Sequence, residues 1–229
     1  MTYLISTLIF AVVGTAQLNI FEIEGIFSNA HINALEGHIE EYEYTDDDLL
    51  ILQYSSQEGS AESIAELNSL LSGYDFPIGV WFGPYKISID FEQLNNFDYI
   101  GFSPGLEINN VSFDESVEKK YCTVNICNFE ERKIIVSTNE GIYDNYLIVG
   151  TLGSFIENID FVISDQSIEF FKPSLFERFY IAISNPIFTY MFFVLGFALI
   201  GLELFAIGPG LMAVVGSLLV ISSTLPFQE

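Results

Sequence analysis

Positive charge is scarce in this chain. Lys and Arg together number seven against 31 Asp and Glu, which gives a formal net charge of −24 over 229 residues. Such a chain repels phosphate backbones and anionic lipid headgroups, because both carry the same sign of charge. The charge therefore argues against nucleic-acid binding and against electrostatic docking on anionic lipid. We interpret the acidic residues as a solubility feature rather than as a specific acidic binding face.

Histidine is also scarce, with only His31 and His38. Both fall on one predicted helix, about 10 Å apart along its axis, so a single zinc ion could not be held by both without help. We interpret them as solvated helix residues, and neither lies near a loop that could complete a Ser-His-Asp triad. The sequence therefore predicts no metal site and no cofactor.

Only two cysteines are present, Cys122 and Cys127. In one continuous strand their odd spacing would put them on opposite faces, so they could pair only across a turn. An exported location would permit that disulfide. We favour two unpaired buried thiols, keep the disulfide across a hairpin as the alternative, and place a metal site last.

Long apolar runs are confined to the two ends of the chain, and nearly all the acidic residues lie between them. Residues 1–16 have an apolar stretch followed by small residues, which is typical of a signal peptide cleaved before Gln17. The start lacks Lys and Arg, so an uncleaved N-terminal anchor is the alternative. Either interpretation places the acidic domain outside the cytoplasm.

The middle of the chain has the periodicity of an α/β domain. Residues 18–26 alternate as a strand would, a helix with one apolar face follows, and the run "LLILQY" predicts a second strand. A polar turn at Ser55–Gly59, a second helix ending at Gly73 and the run "IGVWFG" complete the order β-α-β-α-β. This order predicts a parallel sheet with helices on its faces.

The second half of the domain is less regular. Residues 84–113 have no clear pattern. The runs "KIIV" at 133–136 and "YLIV" at 146–149 predict short strands, and Thr151 predicts a helix N-cap.

The C-terminal region predicts a membrane anchor. Ser174 can cap an amphipathic segment, and its apolar residues suit the membrane interface: Leu175, Phe176, Phe179 and Ile183. After Pro186, residues 187–207 are long enough, at ~1.5 Å per residue, to cross a ~30 Å hydrocarbon core. Gly208-Pro209-Gly210 would turn the chain into a second apolar run at 211–227, which predicts a transmembrane helical hairpin. Glu203 is costly inside a membrane, so we interpret it as a helix-pairing or subunit contact, with a protonated glutamate near the turn as the alternative.

Residues 176–216, "FERFYIAISNPIFTYMFFVLGFALIGLELFAIGPGLMAVVG", resemble the membrane segment of NfeD-like proteins. Over residues 18–83, and again at 137–160, "STNEGIYDNYLIVGTLGSFIENID", the soluble part resembles the membrane-bound ClpP-class serine proteases, a branch related to signal peptide peptidase A. The resemblance implies an α/β protein, with a ClpP/crotonase-like spiral domain followed by an interfacial helix and a C-terminal transmembrane hairpin. The implied boundaries are 1–16 for the signal peptide, 17–172 for the soluble domain, 173–185 for the interfacial helix and 186–227 for the hairpin.

The resemblance also assigns an oxyanion loop. In that family a strand-to-helix turn of approximately Asp-Ser/Thr-Pro-Gly-Gly supplies backbone N–H groups to the developing negative charge. The matching positions here are Ser55, Ser56, Gln57, Glu58 and Gly59. The proline and the first glycine are absent, and Glu58 puts a carboxylate where an oxyanion should be stabilised. The loop is therefore predicted to be the remnant of an active site.

The family's nucleophile and base have weak counterparts in this chain. Ser88 follows Gly83-Pro84, as the nucleophile does, but it lies between two isoleucines in a stretch that favours a strand. Lys119 and Lys120 are the positional candidates for the general base, with Lys133 as an alternative. A lysine base must be neutral, and the neighbouring acids would raise its pKa instead.

The sequence therefore predicts a membrane-anchored NfeD-like protein whose protease-type domain is non-catalytic and acts as a membrane assembly or binding module. The alternative is an active Ser-Lys serine endopeptidase that cleaves membrane-proximal protein segments. The expected location is the cell membrane, with the soluble domain on the extracytoplasmic side. The expected partners are membrane lipid, a stomatin-like membrane protein and further copies of the chain as a homo-oligomer.

Overall fold

The structure is a computed structural model, and it describes residues 17–42, 44–58, 61–89, 91–143, 146–159, 161, 168–171, 173–205 and 210–224. At positions 57, 58, 61–63, 92, 184 and 186 it describes the backbone alone. The predicted signal segment 1–16, Gly59 of the predicted turn, and Gly208 and Pro209 of the predicted hairpin lie outside the described residues.

Strands and helices alternate through the first half of the chain, and consecutive helices end it. In chain order the elements are β1 (Leu18–Ile26), α1 (Asn29–Tyr42), β2 (Leu49–Glu58), α2 (Ala61–Leu71), β3 (Ile78–Phe82), β4 (Lys86–Ser88), a 3₁₀ helix (Phe91–Asn96), β5 (Tyr99–Phe102), β6 (Glu107–Asn109), α3 (Glu115–Tyr121), β7 (Ile126–Asn128), β8 (Lys133–Ile135), β9 (Gly141–Tyr143), β10 (Tyr146–Ile148), α4 (Leu152–Asn158), β11 (Ile168–Phe171), α5 (Leu175–Ser184), α6 (Pro186–Phe205) and α7 (Leu211–Thr224).

The larger sheet has seven strands in the order β11-β1-β2-β3-β5-β10-β9. All its neighbouring strands run parallel except β9, which is antiparallel to β10. Helices α1 and α2 connect β1 to β2 and β2 to β3, so the predicted β-α-β-α-β order and parallel sheet are confirmed. Because these strands run parallel, their carboxyl ends lie at one edge of the sheet.

Both faces of the central strands are buried, as is usual for a parallel sheet. Along β1, Leu18 and Ile20 belong to one apolar cluster, and Phe21 and Ile23 belong to the other. The first cluster contains Phe155 of α4, whose predicted N-cap, Thr151, accepts a hydrogen bond from Ser154 N at 3.1 Å. The second cluster contains the apolar faces of α1 and α2, so the predicted inward faces of these helices are confirmed.

A smaller sheet follows the carboxyl end of β3 and has the strand order β4-β6-β8-β7. Strands β4, β5 and β6 and the 3₁₀ helix occupy much of the segment for which the sequence predicted no structure. The turn at Ser103-Pro104-Gly105 places Gly105 at φ +77°, a left-handed conformation that favours glycine. Strands β8 and β10 confirm the two short strands predicted from "KIIV" and "YLIV".

The two cysteines form a disulfide, with their Cα atoms 5.6 Å apart. The preference for unpaired thiols was wrong, because it assumed that one strand contains both residues. Helix α3 ends at Tyr121, and a turn separates Cys122 from Cys127 in β7. That turn brings the two sulfur atoms together on the same side.

The two histidines are packed against the domain rather than solvated, so that expectation was also wrong. His31 is 3% exposed, and its Nε2 lies 3.1 Å from the carbonyl oxygen of Glu24 at the end of β1. His38 is half-buried; its Nε2 lies 3.0 Å from the hydroxyl of Tyr44, and its ring packs on Phe171 with centroids 4.1 Å apart. Burial lowers the pKa of both rings. Among the described residues, no group of three or more His, Cys, Asp or Glu could hold a metal ion.

Helix α5 begins with a capping box, in which Ser174 and Glu177 each accept a hydrogen bond from the backbone of the other. Its apolar stripe is divided between two environments. Leu175 and Phe176 are 82% and 87% exposed, whereas Ile183 is 1% exposed and lines a cavity together with Ala30 and Ala34 of α1. The expectation that Ile183 faces the membrane interface was therefore wrong, because α5 packs its other side on the soluble domain.

Residues Ile187–Phe205 of α6 form a 19-residue helix with mean hydropathy 2.1, long and apolar enough to cross a membrane. Helix α7 is apolar but shorter, with 14 residues. The two helices pack at Gly196 and Gly216, where a Cβ built on Gly216 would lie 2.6 Å from the carbonyl oxygen of Gly196. Glu203 accepts hydrogen bonds from Gly210 N at 2.7 Å and Met212 N at 3.2 Å, so its carboxylate caps the start of α7.

Candidate active-site region

The segment matched to the oxyanion loop is a strand as far as it is described. Strand β2 continues through Ser55 and Ser56 to Glu58, and it pairs with β1 at Ser55, at Ser56 and, after a register shift, at Glu58. Ser55 lies opposite Glu24 and Ser56 opposite Gly25, before the register shifts at Ile26. The predicted start of a turn at Ser55 was wrong, because β1 extends far enough to supply a pairing partner.

The side chain of Ser56 is bonded within the protein. Ser56 is 0% exposed, and its hydroxyl donates to the carbonyl oxygen of Gly25. Gly25 has φ +78°, and only glycine adopts this conformation readily, so the residue type permits the local course of β1. Next to it, burial raises the pKa of the Tyr54 phenol to about 12. The sequence predicted neither Gly25 nor Tyr54 as part of this region, and the one local signal was the Glu-Gly pair at the end of β1.

Ser88 is the last residue of strand β4, and β4 pairs in parallel with β6. Its Oγ accepts a hydrogen bond of 2.7 Å from the Asn110 side-chain amide. The flanking residues Ile87 and Ile89 are buried, as expected for alternation around a strand. Asn110 has φ +59°, a left-handed conformation that asparagine tolerates better than most residues. Asn110 was not predicted as part of this region, because it lies in the segment for which the sequence has no clear pattern.

The candidate lysines lie elsewhere. Lys119 and Lys120 are on α3 and line a cavity of about 560 Å³ together with Tyr143 and Tyr146, and Ser88 is not among its lining residues. The Lys120 ammonium lies over the ring of Tyr121, 5.2 Å from its centroid. Among the described residues, neither lysine hydrogen-bonds to Ser88.

Lys133 is no better placed to act as a base. Its ammonium forms a salt bridge of 2.5 Å with Glu131. The Glu131 carboxylate holds the pKa of Lys133 above its usual value. A general base must accept a proton at the working pH, and a raised pKa keeps this lysine charged.

Comparisons with known proteins identify the fold. No protein-family model matches the sequence, and no curated protein matches it. Several solved structures do match, two of which are as follows. The first is 1510-N, a membrane-bound stomatin-specific protease, as a lysine-to-alanine variant in complex with a substrate peptide (TM-score 0.52, 7% identity, 75% of this chain and 99% of that chain covered). The second is 1510-N, a membrane protease specific for a stomatin homolog from Pyrococcus horikoshii (TM-score 0.53, 10% identity, 74% and 99% covered).

The chain has the fold of this membrane protease. The predicted ClpP/crotonase-type α/β fold is therefore confirmed. At 7% and 10% identity the likeness extends to the fold alone, so the chemistry depends on the residues of this chain. In this chain Ser88 lies in the smaller sheet and is hydrogen-bonded to Asn110. Lys119 and Lys120 line a cavity that does not include Ser88.

Proposed function

We propose that this chain is a membrane-anchored NfeD-like protein whose protease-type domain is non-catalytic and serves as a membrane assembly or binding module. A Ser-Lys protease needs an exposed serine hydroxyl in hydrogen-bond reach of a neutral lysine, beside free backbone donors. The proposal rests on one observation above the others, which is that Ser88 Oγ is held by Asn110 rather than by a lysine.

The oxyanion segment supports the same proposal. Its backbone pairs with β1 up to Glu58, and the Ser56 hydroxyl is bonded to the carbonyl oxygen of Gly25. A strand that pairs with β1 at these positions differs from the turn whose backbone N–H groups form the oxyanion hole in the protease family. Restoring the family residues with Gln57→Pro and Glu58→Gly should therefore not create protease activity.

The membrane and partner assignments belong to the proposal as well. Residues 1–16 direct export, α5 lies at the interface, and α6 with α7 anchors the chain as a hairpin, so that the soluble domain is extracytoplasmic. The length and hydropathy of Ile187–Phe205 support the anchor. The proteases of the same fold are specific for stomatin, which supports a stomatin-like membrane protein as the partner, with the chain acting as a homo-oligomer.

A serine-reactive fluorophosphonate probe tests the proposal directly. The full chain in detergent, its Ser88→Ala variant and its Ser69→Ala variant are incubated with the probe beside an active serine hydrolase in the same sample. Ser69 is the matched control, because it is an exposed serine near the end of α2, outside the candidate region. We expect the hydrolase to be labelled and all three forms of this protein to remain unlabelled. Wild-type protein and Ser88→Ala should also bind a co-reconstituted stomatin-like protein equally.

The second candidate function is the active Ser-Lys endopeptidase that cleaves membrane-proximal segments. The observation in its favour is the shared fold with a protease that was solved with its substrate peptide. Labelling of wild type and Ser69→Ala that disappears in Ser88→Ala would establish this candidate and end the non-catalytic proposal.

A further inference from the structure

Two lysines lack the partners that the other described cations have. Lys119 and Lys120 make no salt bridge and no side-chain hydrogen bond among the described residues, although the chain has 31 acidic residues. Glu115 and Glu118 are on the same helix but pair with neither lysine. The other described cations are all bonded: Lys86 to Glu107, Lys133 to Glu131, Arg132 to the carbonyl of Val111, and Arg178 to the carbonyl of Pro173.

Both lysines line the same cavity, of about 560 Å³. Its floor is aromatic, because the rings of Tyr143 and Tyr146 stack with centroids 5.1 Å apart. Tyr146 accepts a hydrogen bond from Asn125, which fixes its phenol in place. A cavity of this size with an aromatic floor and two lysines without a carboxylate partner suits a ligand that has both apolar and anionic groups.

The cavity continues into a second one of about 470 Å³, which shares Lys120, Ile142, Tyr143 and Tyr146 with it. The second cavity reaches Tyr99 and Asp98 at the amino end of β5. We call the two together the lysine groove. It borders the amino ends of β5 and β10, whereas residues 55–58 lie at the carboxyl end of β2 and β4 follows the carboxyl end of β3. The lysine groove is therefore distinct from the candidate active-site region.

The edge of the sheet lies in this groove. Strand β9 is the last strand of the seven-stranded order, so among the described residues it pairs on one side only. Its Ile142 is 68% exposed and lines both cavities. An unpaired edge can accept an extended peptide as an added strand, with side chains entering pockets alongside.

We propose that the lysine groove binds an extended peptide segment with acidic and apolar side chains. This inference rests on the proposed binding role of the domain and names its site and the class of partner. Lys119 and Lys120 bind carboxylates of the peptide. An apolar side chain of the peptide packs on the floor formed by Ile142, Tyr143 and Tyr146. Charge complementarity selects the partner, because two neighbouring lysines without a carboxylate partner lie together in this groove of a strongly acidic chain.

The probe for this site is a fluorescein-labelled Glu-Phe-Glu-Val-Glu-Phe peptide, and binding to the full chain in nonionic detergent is measured by fluorescence anisotropy. The matched probe has Gln in place of each Glu. We expect the Gln probe, and the Lys119→Gln/Lys120→Gln double variant with the Glu probe, each to bind about tenfold more weakly. Lys86→Gln is the control, because it removes one exposed lysine from β4 and should leave the affinity unchanged.

Ile142→Ser separates a peptide groove from a simple anion cavity. We expect it to weaken binding of the Glu probe about threefold, with inorganic phosphate as a poor competitor throughout. If phosphate displaces the probe and Ile142→Ser has no effect, the cavity binds small anions and the peptide proposal is wrong. Equal affinity of the double variant and wild type would also overturn it. Neither result depends on fluorophosphonate labelling, so the groove and the non-catalytic proposal can fail separately.

Discussion

The hydroxyl groups of Ser56 and Ser88 both have partners within the protein. Ser56 donates to the carbonyl oxygen of Gly25, and Ser88 accepts from the amide of Asn110. Nucleophilic attack requires the serine proton to move to a base and an oxygen lone pair to face the substrate. At the scale of single residues, the bonding of Ser88 therefore fits a structural role in the pairing of β4 with β6.

His31 provides a residue-scale prediction about pH. Burial lowers its pKa below the ordinary value of 6.5, and the Glu24 carbonyl opposes this shift more weakly. The unfolded chain thus takes up a proton near pH 6.5, while the folded chain does so only at lower pH. The contribution of the neutral His31 ring to the free energy of unfolding is therefore fully present above the unfolded pKa of 6.5. It is lost as the pH falls from there toward the lower pKa of the folded chain.

We therefore expect the denaturant midpoint of the full chain in detergent to fall between about pH 7.5 and about pH 5.5, and to fall less in His31→Gln. Fluorescence of Trp81 reports on the soluble domain, because it is the only tryptophan and is buried in the sheet. His38→Gln serves as the comparison, since it leaves His31 in place. Equal pH dependence in wild type and His31→Gln would show that this ring does not titrate on unfolding.

At the scale of elements, the close approach of α6 and α7 depends on two small residues. Gly196 and Gly216 face each other, and a Cβ on either would come within 3.0 Å of the other helix. Small residues allow helix backbones to approach closely where no hydrophobic effect drives association. The Glu203 carboxylate then joins the end of α6 to the start of α7.

Gly216→Ala should loosen this helix pair, because its Cβ would meet backbone atoms that cannot move aside like a flexible side chain. Overpacking of this kind costs about 1 to 3 kcal/mol. Gly201→Ala is the matched control, since a Cβ at that position of α6 has nothing within 4 Å. Hydrogen–deuterium exchange should rise across Leu211–Thr224 in Gly216→Ala and stay at the wild-type level in Gly201→Ala. No rise in Gly216→Ala would mean that the two glycines are not in contact.

At the scale of the whole molecule, charge and apolar surface are separated along the chain. The acidic residues lie mainly in the α/β domain, and α6 and α7 contain a single acidic or basic residue, Glu203. Helix α5 joins the two parts, with exposed apolar residues on one side and Ile183 packed on α1 on the other. This arrangement suits a soluble domain held close to a membrane surface.

The proposed hairpin predicts that both ends of the membrane segment lie on the same side. A topology reporter fused after Glu229 should give the same sidedness as one inserted at residue 140, in the loop between β8 and β9. A third reporter is inserted at the turn near Gly210, and the hairpin predicts that it lies on the opposite side from the other two. This position tests α6 and α7 separately, because Ile187–Phe205 is long enough to cross a membrane and α7 is shorter. Opposite sides for the first two reporters would rule out the hairpin.

Local patterns in the sequence were enough to predict the order of β1 to β3, the inward faces of α1 and α2, the capped start of α5 and the apolar character of α6. Each of these depends on periodicity or capping within a window of a few turns, which neighbouring residues determine by themselves. The same patterns, joined to the resemblance of the membrane segment to NfeD-like proteins and of the soluble part to ClpP-class serine proteases, were enough to predict the fold class.

Other features were decided by segments far apart in the chain. Ser55 and Ser56 extend a strand because Gly25, 31 residues before Ser56, is there to pair with it. His31 is buried against the end of β1 and His38 is half-buried against β11, whereas the cysteines pair because α3 ends just before the first of them and a turn follows. A short polar sequence can form a turn or a strand, and a helix face can be exposed or buried. In each case the segment that packs against it in the folded structure selects between the two.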